Sequence, residues 1–443
     1  MKKSHFNTAQ WILTGLLLSS FLNGCSILPR KAPRGSRHRA YIDYWPTSEH
    51  RKELTLAVKD NIDMKGVVTT AGSEYLLRTN SPAVRDADCL AIARERNVRI
   101  VGKTTLSEFA VAPSGLNWYF GTPRNPFSKW RKLIPGGSSS GSAVAVADGS
   151  ADIALGTDSA GSVRVPAACC GVVGLKTTFG LISTKGVFPI ESKHLDTVGP
   201  MAKDVAHVVQ GMDLLQNGFA ERYRKAVIAK PSAKMIRIGR LYLTGTDPKI
   251  DKAVDNALAQ GHFRVIALDQ DFKAKWDQAK KDGNTVAAAG AWISDQNYLP
   301  KIEVRFRTKA VITLGRILYP APYRDALRRQ AAWQSALRRI FRKVDFIVLP
   351  TLQTLPPMIP PIADIALLEA RVLDLQNTTA VNFAGNPALA IPVPVNDKNI
   401  PVTSLQLVGP RLSEAKLLNA GRLIEAEHPE LEQQIHPRKI HAH

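Results

Sequence analysis

The chain has 443 residues, 44% of them hydrophobic and 22% charged, which supports a large core and excludes a disordered or collagen-like polymer. Fifty-nine Lys and Arg against 38 Asp and Glu give a formal charge of +21, which admits nucleic acid, an anionic membrane surface or plain solubility as its reason. Four cysteines exclude a disulfide scaffold and leave too few thiolates for a structural zinc or iron–sulfur site.

In chain order, the N-terminus comes first. Lys2 and Lys3 precede an apolar run from Trp11 to Leu22 that is too short to span a bilayer. Leu22-Asn23-Gly24-Cys25 then resembles a bacterial lipobox. Residues 1–24 are expected to be a signal peptide, with Cys25 lipidated as the first residue of the mature chain. The expected address is the cell envelope, facing the periplasm, and Ser26 after the cysteine favours the outer membrane over the inner. Residues 25–50, rich in Pro, Gly, Ser and Arg, read as a basic flexible tether. Residues 51–430 form one domain and 431–443 a tail, whose His436, His441 and His443 are read as part of a loose end rather than a metal site. Cys89, Cys169 and Cys170 are read as small buried apolar residues.

Within the domain, Leu54, Leu56 and Val58 alternate as a strand that carries Lys59 into the core. Asp204 is a helix N-cap for Val205 to Asn217. Met235 to Leu243 reads as a strand, Asp247 to Gln260 as a helix and Phe263 to Leu268 as another strand. Residues 272–320 look irregular and are expected to wall a substrate cavity. Tyr323 to Val344 carries apolar residues at helical spacing, with Arg324, Arg328, Arg329, Arg338 and Arg339 on another face. That basic face is a solvated surface or a patch for anionic headgroups. Asp345 to Pro350 is a strand that Pro356 and Pro357 follow as a break.

Residues 135–189 hold the chemistry. They begin PGGSSSGSAVAVADGSADIALGTDSAGSVRVPAACCG, where glycines allow close backbone approach and serines offer nucleophiles. A flexible linker is excluded by the apolar runs between the glycines. A phosphate loop is excluded because neither G-x-x-x-x-G-K-[ST] nor G-x-G-x-x-G occurs, and Ser162 lacks the G-x-S-x-G elbow. No H-E-x-x-H or Cys/His ligand spacing is present.

The block resembles the amidase signature family. Gly136-Gly137-Ser138-Ser139-Ser140-Gly141-Ser142 and Gly156-Thr157-Asp158-Ser159-Ala160-Gly161-Ser162-Val163-Arg164-Val165-Pro166 match its two motifs, and Leu56-Ala57-Val58-Lys59-Asp60-Asn61 its lysine segment. Further matches at Leu195-Asp196-Thr197, Asn382-Phe383-Ala384-Gly385-Asn386-Pro387 and Ser404-Leu405-Gln406 extend the likeness from about residue 40 to about 427.

The resemblance implies a single α/β/α domain with a mixed central β-sheet. It implies amide hydrolysis to acid and ammonia or amine through an acyl-enzyme, with no cofactor and no metal. Ser162 is the implied nucleophile, Ser138 a cis-linked serine that relays the proton and Lys59 the base. Backbone amides of Ser159, Ala160, Gly161 and Ser162 would hold the oxyanion, with Ser139, Asp158 and Arg164 as supports. A lysine base must be neutral, so Lys59 needs a pKa well below its reference near 10.4. The expected partners are a small-molecule amide, the lipid anchor and an anionic membrane surface, without nucleic acid, in a monomer or homodimer. Two alternatives remain open: an A-subunit-like component of a tRNA-dependent amidotransferase, and a non-catalytic envelope lipoprotein that retains the fold.

Overall fold

A computed structural model describes residues 38–46, 53–128, 132–361, 365–429 and 431. The signal peptide, Cys25, most of the tether and the tail after Leu431 lie outside the described residues.

Among the described residues, eleven strands make one sheet: β1 Tyr41–Tyr44, β2 Thr55–Lys59, β3 Arg99–Thr104, β4 Ile153–Asp158, β5 Val173–Lys176, β6 Thr197–Ala202, β7 Arg237–Arg240, β8 Arg264–Ala267, β9 Phe346–Pro350, β10 Ala388–Pro394 and β11 Val402–Val408. Their order is β1-β3-β2-β4-β6-β5-β10-β11-β9-β7-β8. Parallel pairs (β2 with β3 and β4, β7 with β8 and β9) stand beside antiparallel ones, so the sheet is mixed, as expected.

Alternation along the strands decides what packs on each face. Leu56, Val58, Ile153, Leu155, Leu389 and Ile391 point into one core, which the helices Val205–Leu215, Pro248–Gln260 and Glu414–Glu425 cover. Ala57, Ala154 and Ala390 point to the other face. Small side chains there let the helices Ser140–Ala147 and Arg164–Cys170, built largely of small residues, approach the sheet closely. Cys89, Cys169 and Cys170 are free and buried, as expected for small apolar residues.

Two expectations change. The stretch read as tether contributes β1, which pairs antiparallel with β3, because Tyr41 and Ile42 have a buried slot at the sheet edge. The stretch 272–320 read as irregular is mostly helical: Gln270–Asp295 and Phe306–Leu318. Asp269 caps the first of these through Phe272 N (2.8 Å). Its buried stripe of Phe272, Trp276, Ala279, Gly283, Val286 and Gly290 has the helical period. The stripe is hard to see in sequence because half of it is Ala and Gly. The helix after Phe306–Leu318, Ala321–Ile340, buries Tyr323, Ala326, Trp333 and Leu337 and leaves Arg324, Arg328, Arg338 and Arg339 exposed.

Candidate active site

Lys59 ends β2, beside the C-terminal end of its parallel neighbour β4, where open α/β sheets present their ligand sites. It is fully buried. Its Nζ donates to Ser138 Oγ (2.7 Å) and to Thr157 Oγ1 (2.7 Å). Asn61 Nδ2 donates to the same threonine oxygen (3.1 Å). Burial pulls the Lys59 pKa down to about 7, against the attraction of the Asp158 and Asp196 carboxylates. The lysine is therefore poised to be neutral or charged near neutral pH.

Ser138 follows a cis peptide bond from Gly137 and precedes the helix Ser140–Ala147. Its loop is fastened by Gly137 N to Pro113 O (2.7 Å) and by Ser107 N to Ser138 O (3.2 Å). A Cβ on Gly137 would lie 2.6 Å from Gly115 N, so only glycine fits there. Ser139 N donates to Ser162 O (3.2 Å) and ties the two serine loops together, while Ser139 Oγ donates to Thr157 O (3.3 Å).

Ser162 is half-buried in the turn between β4 and the helix Arg164–Cys170. Asp158, fully buried, organises that turn. It accepts from Gly161 N (2.8 Å), Val163 N (3.1 Å), Arg164 Nε (3.0 Å) and Asn382 Nδ2 (2.7 Å). Burial would raise its pKa, but the charge and hydrogen bonds of Arg164 prevail and hold it well below the usual carboxylate range. Arg164 also reaches Thr378 O (3.1 Å) and Gln406 Oε1 (2.6 Å). Asp196 grips the other side of the turn, accepting from Ser159 Oγ (2.5 Å), Ile190 N (2.9 Å) and Glu191 N (3.1 Å). Gly161 has φ +136, and a Cβ there would lie 2.2 Å from Thr378 Oγ1.

Lys59, Ser138, Ser139, Asp158, Ser159, Ala160, Gly161, Ser162 and Arg164 lie together here. One detail differs from expectation. Gly161 N–H points at Asp158, which commits that donor and removes it from the four amides expected to face an oxyanion. Ser139, Asp158 and Arg164 hold the loops, as supports do. Sequence reasoning did not single out Thr157, Asn61, Asp196, Asn382 and Gln406, although each lies inside a quoted motif. What was missing was the knowledge of which motif residues point inward.

Ser159, Ala160 and Ser162 open onto a cavity of about 190 Å³. Its other walls are the Ala110–Pro113 loop and residues of the helices Gln270–Asp295, Phe306–Leu318 and Ile365–Leu375. The segment 272–320 thus walls the cavity as expected, but as helix. Among the described residues no three His, Cys, Asp or Glu side chains are grouped to hold a metal ion. A hydroxyl beside a cavity, a second hydroxyl on a buried lysine and a turn of glycine-rich backbone amides together suit acyl transfer.

Residues 53–418 match the family model described as Amidase. The A-subunit of the glutamyl-tRNA(Gln) amidotransferase of Halobacterium salinarum is 33% identical over 413 residues, covering 84% of this chain and 94% of that protein. The 2-amino-5-chloromuconic acid deaminase of Comamonas testosteroni is 34% identical over 396 residues, covering 84% of this chain and 81% of that one. Among solved structures, the A-subunit of the glutamyl-tRNA(Gln) amidotransferase of Thermotoga maritima superposes with a TM-score of 0.72 at 26% identity, over 87% of each chain. The signature residues, the mixed sheet and these likenesses agree that the chain belongs to the amidase signature family, as a hydrolase acting on carbon–nitrogen bonds.

Proposed function

We propose that this chain is a serine amidase that hydrolyses a small carboxylic amide through an acyl-enzyme. Ser162 is the nucleophile, Ser138 relays its proton and Lys59 is the base. The observation that carries the reading is the 2.7 Å contact between Ser138 Oγ and Nζ of a fully buried lysine whose pKa is brought to about 7. With Lys59 neutral, Ser138 O–H donates to Nζ, and Ser138 Oγ can take the proton of Ser162 as that oxygen attacks the carbonyl carbon. The amides of Ser159, Ala160 and Ser162 serve the oxyanion. The proton then returns through Ser138 to the departing nitrogen, ammonia or amine leaves, and water releases the acid along the same relay. A Ser162→Ala variant tests this: it should lose amide turnover and labelling by a fluorophosphonate probe, and unchanged turnover would sink the assignment.

The same proposal includes the address. Lys2, Lys3, the apolar run from Trp11 to Leu22 and Cys25 support a lipid-anchored enzyme facing the periplasm, from the outer membrane. The exposed arginines of Ala321–Ile340 suit an anionic lipid surface nearby. Metabolic labelling with palmitate checks it; label that persists in Cys25→Ala would refute it. A second reading, an A-subunit-like component of a tRNA-dependent amidotransferase, draws on relatives named for that assembly. Co-purification with partner subunits and tRNA would favour it; isolation as a monomer or homodimer active on simple amides would exclude it.

A further inference from the structure

The cavity above Ser162 is lined mainly by apolar side chains. Alanines from every wall (Ala110, Ala160, Ala288, Ala310, Ala370) and larger aliphatics make it apolar. Against this, Arg307 and Glu369 are the only charged side chains among its described lining residues. They come from different helices, Phe306–Leu318 and Ile365–Leu375, and form an ion pair with each other. Their side chains are only 17% and 13% exposed, so the pair is largely out of water.

Glu369 is occupied beyond that pair. It accepts from Ser114 N (3.1 Å) and from Ser114 Oγ, and Arg307 Nη2 donates to the same hydroxyl (3.1 Å). Ser114 follows Pro113, whose carbonyl holds Gly137 N in the loop of Ser138. The pair thus joins two cavity helices to the loop that carries the proton relay. Arg307 Nε is itself buried and has no hydrogen-bond partner.

Two consequences follow from charge and size. A substrate carboxylate entering this wall meets Glu369 beside the guanidinium that would otherwise bind it, and a substrate cation meets Arg307. In a dry site such like-charge contacts are far stronger than in water. The space itself is modest: an engineered apolar cavity of about 150 Å³ accommodates benzene, and this one has about 190 Å³.

We propose that Glu369, by neutralising Arg307, is the specificity-determining residue of the cavity and restricts the enzyme to amides with a compact, uncharged, apolar acyl group such as an aryl ring or a chain of about five to seven carbons. This rests on the amidase reading above. Glu369 is a specificity and positioning residue, not a catalytic one, since its contacts are with the wall and the Ser114 loop.

The test compares matched substrates. Hexanamide and benzamide are set against the monoamides of dicarboxylic acids of four to eight carbons, which place a carboxylate at each depth of the cavity. The wild type should favour the neutral members by at least about 100-fold in kcat/KM. Glu369→Gln keeps the shape and an acceptor for Ser114 but frees Arg307. It should raise kcat/KM for at least one anionic monoamide by tenfold or more, mainly through KM. In an Arg307→Met, Glu369→Leu double variant the preference for neutral amides should persist. A wild type that turns over monoamides and neutral analogues equally, or a folded Glu369→Gln variant with an unchanged ratio, would overturn the proposal. If Glu369→Gln does not fold, the wild-type ratio and the double variant decide. Protection of Ser162 from fluorophosphonate labelling by neutral and anionic amides reads the binding part of this preference. Absence of any labelling or amide turnover would instead count against the amidase reading itself.

Discussion

Lowering the pH should switch this enzyme off through one lysine, with a slope set by its burial. Lys59 is enclosed between Ser138 and Thr157, and burial moves its pKa from 10.5 to about 7. Only the neutral amine can receive the proton of Ser138. With a midpoint of about 7, about nine-tenths of free enzyme is competent at pH 8, about half at pH 7, about one-tenth at pH 6 and about one-hundredth at pH 5. The log of kcat/KM should therefore rise with unit slope to about pH 7 and level off near pH 8. The assay is initial-rate ammonia release from a neutral amide at substrate well below KM. Each pH is bracketed by a return to pH 8 that verifies the fold is intact. A profile flat from pH 5 to 8, or one that rises only above pH 9, would refute the role of a buried neutral lysine.

Further expectations follow from the same contacts. Lys59→Met should abolish turnover yet stabilise the protein at pH 7. The folded pKa lies below the unfolded one, so the penalty is full below pH 7 and fades as pH rises toward 10.5. The shift corresponds to about 5 kcal/mol, and a net gain of about 2 kcal/mol should remain after the lost hydrogen bonds; urea denaturation at pH 7 and 9.5 should show the gain shrinking with pH. Arg164→Met leaves Asp158 buried without its guanidinium and should destabilise by about 3–5 kcal/mol, read from the urea midpoint; an unchanged midpoint would mean that the network is dispensable. Gly161→Ala forces a Cβ to within 2.2 Å of Thr378 Oγ1 at φ +136, which must displace the turn that carries Ser162. A shift of about 1 Å in that turn should lower kcat by about 100-fold, with fluorophosphonate labelling slowed in parallel; labelling at the wild-type rate would contradict it.

Much of the site was legible because its parts are local. The GTDSAG turn is dictated by residues adjacent in sequence: Asp158 caps amides three and five positions on, and Gly161 takes a φ that other residues avoid. Leu54, Leu56 and Val58 alternate as a strand, the likeness of the segment around it singled out Lys59, and the Asp204 cap fixed the start of its helix. Helices whose apolar stripe is built from Ala and Gly were hard to read, since their signal depends on tight packing rather than hydrophobicity. Strand β1 was hidden in a basic stretch because its partner, β3, lies some 60 residues away.

The formal charge of +21 was visible at once and bears on the proposed address more than on the proposed chemistry, which needs a neutral lysine. By itself the sequence determined the family, the candidate trio and the backbone turn, because each is written in contiguous motifs whose geometry is short-range. Only the tertiary structure decided three other things. It brought Lys59 from β2 to within 2.7 Å of Ser138, lowering its pKa by burial. It gave the Gly161 amide to Asp158 rather than to a substrate. It paired Arg307 with Glu369 across two helices at the cavity wall. Desolvation, hydrogen-bond allocation and ion pairing between distant segments depend on which groups meet in space, and no local pattern records that.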